Sequence, residues 1–276
     1  MTTTMEIRDG GGHGRGPALR TSTGGQDPAS AVLPPIPFGR LLKVEAAKIL
    51  DTRSARWLVA VSLLVSLAAM GLPLGFPDDV DQTLGTYLGL ASVGLTLLLP
   101  VVAILSVTSE WSQRTVLVTF TQEPRRARVL AAKLVNALIL GVAAAAAGLA
   151  ITAGSVWLAE AGLGREVVAN RGWLEVGAGL LALSVLNMLM AMGFAVLLQS
   201  SAAAVALFYI LPTIWTVLAV GVLKDVGDWL DTSRTFERLM EGGIADHLGQ
   251  AVTSMTLWVA VPLVAGFLRT MRREIS

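Results

Sequence analysis

Side chains able to do chemistry are scarce in this chain of 276 residues. It has no cysteine, which excludes disulfides, thiolate nucleophiles and cysteine metal sites. Its two histidines, His13 and His247, stand apart. His13 has no second ligand nearby, and His247 has only Asp246 beside it, fewer groups than a zinc site needs. The four lysines are Lys43, Lys48, Lys133 and Lys224, and none follows a glycine at phosphate-loop spacing. The chain therefore does not hydrolyse ATP through such a loop, whose backbone amides and lysine hold the phosphates. No catalytic residue, cofactor or metal is expected. What remains is one charged segment, SEWSQRTVLVTFTQEPRRARVLAAK (residues 109–133), with Glu110 at its start and a basic run from Arg125 to Lys133 at its end.

The elements that must position this segment follow from where charge is missing. Hydrophobic residues make up 54% of the chain and charged residues 15%, with mean hydropathy +0.66. A soluble domain carries about 25% charged residues. Five windows, 57–77, 82–109, 134–159, 176–223 and 247–268, contain no Asp, Glu, Lys or Arg. A spanning helix needs about 20 mainly apolar residues. One central charge would cost about 2.5–3.5 kcal/mol, cancelling some six leucines. Four windows hold one span each. The window 176–223 holds two, divided at Gln199, Ser200 and Ser201. The expectation is an all-α polytopic membrane protein with six transmembrane helices, near 57–76, 84–107, 134–158, 176–198, 202–223 and 251–268. Pro100, Pro212 and Pro262 fall inside spans and permit kinks.

Charge asymmetry orients the bundle. With the N-terminus inside, 16 Lys and Arg fall on the cytoplasmic side and 5 outside. Acidic residues run the other way, 12 outside and 8 inside. The positive-inside rule then places both termini in the cytoplasm. Trp57, Trp111, Trp157 and Trp173 fall at span ends, at the level of an aromatic belt.

Residues 1–37 are rich in Gly, Ser, Thr and Pro and bury too little apolar surface to offset chain entropy, so a disordered cytoplasmic tail is expected. They contain no apolar run of the kind a cleavable secretory signal needs. Residues 38–54 are amphipathic, with Phe38, Leu41, Leu42, Ile49 and Leu50 near one face and Glu45 interrupting it. They read as an interfacial elbow helix on the inner leaflet, or as a cytoplasmic continuation of the first span. Residues 55–273 form the six-helix transmembrane domain. Its outer loop, 224–250, suggests short amphipathic helices around Trp229, Leu230, Phe236, Leu239 and Met240. Gly85 and Gly89 make a small-xxx-small pair, and residues 143–150 are a small-residue stretch, both suited to close helix contact.

A basic elbow before the first span, then "SEW…RT", then "P-R-R-x-R-V-L-x-A-K", six spans and a long last outer loop resemble the permease subunit of a type-2 ABC exporter over about residues 38–273. Arg114 stands where that family often has glycine. The resemblance implies that segment 109–133 carries a coupling helix docking on a separate ATP-binding subunit. It maps the coupling role onto Glu110, Trp111, Arg114, Thr115, Phe120, Pro124, Arg125, Arg126 and Arg128, with Lys133 on the same exit side. Glu110 would form an ion pair holding the loop against the elbow. For each single cation the alternative is anchoring of the third span at anionic headgroups. The resemblance also implies a second permease subunit, identical or related, and no nucleic-acid partner.

An ion-coupled secondary carrier is the competing class. Such carriers place ionisable relays within the membrane, and the charge-free windows argue against it. A non-transporting membrane anchor is the third reading. An intramembrane protease would need paired aspartates or a Ser/His dyad at membrane depth, and the spans hold neither. Asn187, Tyr209 and Thr213 are polar candidates for a translocation path, with interhelical hydrogen bonding the alternative for Asn187. The 17 arginines to 4 lysines point to a GC-rich bacterial genome, hence to a bacterial plasma membrane.

Overall fold

The computed structural model describes residues 36–113, 115, 119, 121 and 125–272. The tail expected over 1–37 lies outside them except for its last two residues. Where the chain is free of charge it forms helix, because only a helix satisfies every backbone donor and acceptor within one segment in lipid. The elements in order are α1 (Phe38–Asp51), α2 (Arg53–Ala69), the short α3 (Gly71–Gly75), α4 (Leu84–Ser112), α5 (Arg126–Trp157), α6 (Trp173–Leu198), α7 (Ser201–Leu218), α8 (Thr232–Glu241), α9 (Leu248–Met255) and α10 (Val261–Arg272). Single π-helical turns extend three spans: Leu158–Gly162 after α5, Ala219–Leu223 after α7, and Thr256–Ala260 joining α9 to α10.

Six of these units are long and apolar enough to cross a membrane: α2 with α3, α4, α5, α6, α7, and the run Ala245–Arg272. The chain is a polytopic all-α membrane protein. Large apolar side chains such as Leu64, Leu67, Ile139, Val142, Ile214 and Val264 stay exposed around the bundle. A water-facing surface would not carry so many together. Trp57, Trp157 and Trp173 are exposed at span ends, whereas Trp111 is half-buried and packs on the main apolar cluster.

The core is built on α4 and α6. One cluster, including Leu99, Ile104, Met188, Met192 and Phe194, fills the half of the bundle nearer α1. A second, around Leu84, Tyr87, Leu88, Val176 and Leu180, fills the other half. The tightest seam is not at Gly85 or Gly89, where an added Cβ meets nothing nearer than 3.7 Å or nothing at all within 4 Å. It lies at Gly94 of α4. A Cβ there would fall on Ser62 O of α2 and lie 2.9 Å from Ser66 N. Ser62 and Ser66 are fully buried and four residues apart, so the small-xxx-small face belongs to α2. A similar approach joins α10 to α6, where Gly266 sits against the backbone of Val196 and Leu197.

Between α1 and α2 the chain turns at Thr52, whose backbone is extended (φ −75°, ψ 131°). Its hydroxyl donates to Ile49 O (3.1 Å) and accepts from Ala55 N (3.4 Å), closing one helix and capping the next. In the outer loop, α8 is strongly amphipathic and lies against α6, with Leu239 O packed on Gly179. Asp231 caps it, accepting from Ser233 N (2.8 Å) and from Thr216 Oγ1 of α7 (2.9 Å).

Candidate functional site: a closed charge ring at the inner ends of the spans

The end of the bundle that the charge count assigns to the cytoplasm brings α1, α4 and α5 together. Leu41 of α1 packs on Val129 and Ala132 of α5, and Asn136 Nδ2 donates to Leu42 O (3.2 Å). This contact turns Glu45, four residues after Leu41, inward, and it is 2% exposed. A carboxylate that deep needs charged partners. Lys133, 4% exposed, supplies one: its Nζ is 2.5 Å from Glu45 Oε2. The same ammonium donates to Glu110 Oε1 (3.1 Å) and to Ser106 O (3.0 Å). Three donors meet three acceptors, which saturates a lysine.

Lys48 completes a ring. Its Nζ lies 2.7 Å from Glu45 Oε1 and 2.9 Å from Glu110 Oε1. Charges alternate around the four residues and sum to zero. Two members come from α1, one from the last turn of α4 and one from α5. Burial works against the Lys48 ammonium, but its hydrogen bonds to Glu45 and Glu110 outweigh it and raise its pKa above the ordinary 10.5.

Beside the ring opens a cleft of about 680 Å³. It lies between the α1–α2 corner, α4 and the start of α7. Hydroxyls recur along it, among them Thr52, Ser54, Ser106, Ser109 and Ser201, with Ile49, Val102 and Leu105 between them. Ser201 also bonds Thr108 of α4 (2.8 Å), which fixes the first turn of α7 against the cleft.

The residues singled out from sequence separate into three groups. Glu110 is in the ring, with Trp111 beside it and Thr115 folded back so that its N–H donates to Glu110 O (2.9 Å). Arg125, Arg126 and Arg128 open α5. Arg126 Nη1 donates to Thr270 O of α10 (3.1 Å), Arg128 Nη2 to Ile36 O before α1 (2.6 Å), and Arg125 is exposed. Arg114, Phe120 and Pro124 lie outside the described residues. The third group, Asn187, Tyr209 and Thr213, does not converge on the cleft. Asn187 Nδ2 donates to Thr96 O (3.1 Å) and the Tyr209 hydroxyl to Leu97 O, so both bridge neighbouring spans at α4, while Thr213 Oγ1 bonds back to Tyr209 O (2.7 Å) within α7.

Sequence reading assigned no role to Glu45, and it put Lys133 among the anchoring or docking cations. Both are buried in the ring. The signal was there: an acid on the apolar face of an amphipathic helix, an acid at one span's end and a lysine at the next span's start. No protein-family model matches the chain, and a search of curated proteins finds none that matches it.

Proposed function

We propose that the chain is the membrane-spanning permease subunit of an ABC exporter, working in a bacterial plasma membrane. A separate ATP-binding subunit would dock on segment 109–133, and a second permease subunit would complete the path. The observation that carries this reading is the charge ring. It fastens the elbow helix to both spans that flank the segment. A push delivered there would reach α1, α4 and α5 as one unit instead of bending a loose loop. ATP would close the partner dimer and shift the permease toward its outward-open form, by no more than the partner's differential affinity for the two states. The cleft beside the ring, lined with hydroxyls and apolar groups and open at the same end, suits an amphiphilic cargo.

The ring also favours one other reading. Ion-coupled carriers use buried ionisable groups within their spans as relays, and the ring's charges, though just outside the charge-free windows, are buried between spans. The two classes differ in fuel. The test is to purify the tagged chain from its native membrane and reconstitute what co-purifies. An ATP-binding subunit whose ATPase activity changes when residues 112–120 are deleted supports the exporter. Assembly and ATPase activity unaltered by that deletion, or flux driven by an ion gradient without ATP, overturns it.

A further inference from the structure

The charge ring is neutral as a whole, yet two of its members keep bonding capacity toward the cleft. Lys48 Nζ donates to Glu45 Oε1 and Glu110 Oε1, which leaves one of its three N–H groups free. Its side chain is 41% exposed, against 4% for Lys133. Glu110 is the matching case on the acidic side. Both lysines bind its Oε1, and Oε2 has no partner among the described residues. The enclosed side-chain oxygens without partners there are Ser66 Oγ, Asp231 Oδ2 and Ser254 Oγ, so Glu110 Oε2 is open. Lys48 and Glu110 both line the cleft.

The cleft therefore presents a free ammonium donor and a free carboxylate acceptor, one carboxylate's width apart. The hydroxyls of Ser54 and Ser109 also line it. Further along α4 the wall is apolar. Leu105 and Val102, also on the lining, precede Glu110 on that helix and lie about 8 and 12 Å deeper along the span. The volume of about 680 Å³ is in the range of pockets that hold one drug-sized molecule. A purely cationic headgroup at Oε2 would stand against the Lys48 ammonium. A purely anionic one at Lys48 would stand against the Glu110 carboxylate. A headgroup carrying both signs side by side meets the opposite charge at each point and continues the alternation of the ring. Only an ammonium with its own N–H can also hydrogen-bond Oε2. We propose that the cleft binds a zwitterionic amphiphile, its primary ammonium on Glu110 Oε2, its anionic group on Lys48 and its apolar chain along Leu105 and Val102. That this molecule is the cargo rests on the exporter reading, whereas its binding does not.

The test uses the full-length chain in a mild non-ionic detergent. It is offered equal amounts of lysophosphatidylethanolamine, lysophosphatidylcholine and lysophosphatidylglycerol with one common acyl chain, and bound lipid is read by native mass spectrometry. The first carries both signs and N–H donors, the second both signs without such donors, and the third lacks the ammonium. The wild type should retain the ethanolamine lipid about tenfold or more over the other two, as expected for one hydrogen bond to a charged group. Glu110→Gln removes the acceptor's charge and should bring the ethanolamine lipid down toward the level of the choline one. The retention ratio, not stability, is the readout for this variant. Leu105→Trp leaves all four ring residues in place and fills the apolar part of the cleft, and it should reduce retention of all three lipids. Equal retention of the three by the wild type, a preference unchanged in Glu110→Gln, or retention unchanged in Leu105→Trp would overturn the assignment. Neither ATP nor a partner chain enters this measurement, so its failure leaves the exporter reading standing, and failure to co-purify an ATPase leaves the binding site standing.

Discussion

Replacing Lys133 by Met tests whether the charge ring is a closed, desolvated unit. The side chain is 4% exposed and its ammonium makes three bonds, to Glu45, Glu110 and Ser106 O. Methionine fills a similar volume but leaves Glu45, 2% exposed, without its nearest counter-ion. Breaking a buried pair from one side costs about 3–5 kcal/mol. Lys48 remains within 2.7 Å of Glu45 and 2.9 Å of Glu110, so the lower end applies, about 3 kcal/mol. For a chain of this size that is a fall in Tm of roughly 6–12 °C. Removing both partners at once, in Lys133→Met with Glu45→Met, takes away the orphaned charge and should restore about half of the loss or more. The assay is thermal unfolding in a mild detergent, with monodispersity checked by gel filtration. A double variant as unstable as Lys133→Met alone, or a Lys133→Met protein that melts like wild type, would refute the picture of a dry ring whose charges depend on one another.

Further predictions concern other parts of the fold. Gly94→Leu would drive a side chain into the backbone of α2 at Ser62 and Ser66, and should abolish recovery of folded protein by gel filtration, while Gly89→Leu, with nothing within 4 Å of its Cβ position, should be recovered normally. Asn187→Leu removes one interhelical bond to Thr96 O and should cost only about 0.6–1.7 kcal/mol, read as a small Tm change with function retained. Asp231→Ala removes the cap of α8 and its link to Thr216, and should cost about 1–2 kcal/mol by the same measurement. The raised pKa of Lys48 sets a sign for pH dependence. Its folded-state value lies above the unfolded one, so its contribution is complete below about pH 10 and is lost as pH rises through the folded value. Lys48→Met should therefore flatten the alkaline limb of a Tm-against-pH profile and leave the slope near neutrality unchanged.

The six spans were legible because a charge in hydrocarbon costs several times what one leucine returns, so the borders of the charge-free windows mark the helices. Their ends were less legible. α4 runs on to Ser112 and α5 starts at Arg126, because a helix extends past the membrane wherever polar residues can still pair, as Glu110 and Lys133 do. Glu45 shows the limit of pattern reading. Seen along α1 alone it is a blemish on an apolar face. Its meaning depends on Lys133, 88 residues away, and no periodicity within one helix contains that partner. Glu110 was easier, because an acid at the junction of span and loop invites a cation from the elbow. The π-helical turns after α7 and before α10 left no mark in composition. Asn187 carried two readings in sequence, and only the geometry shows its amide on Thr96 O.

The seam at Gly94 has a mechanical consequence. Where two helices meet through side chains, they can slip by exchanging rotamers. Here the polypeptide of α4 rests directly on that of α2 at Ser62 and Ser66, with no flexible padding between them. The pair can be tilted or carried, but one helix cannot be drawn lengthwise past the other. The first two membrane crossings therefore behave as a single stave, and any rearrangement of the molecule has to open along its other joints.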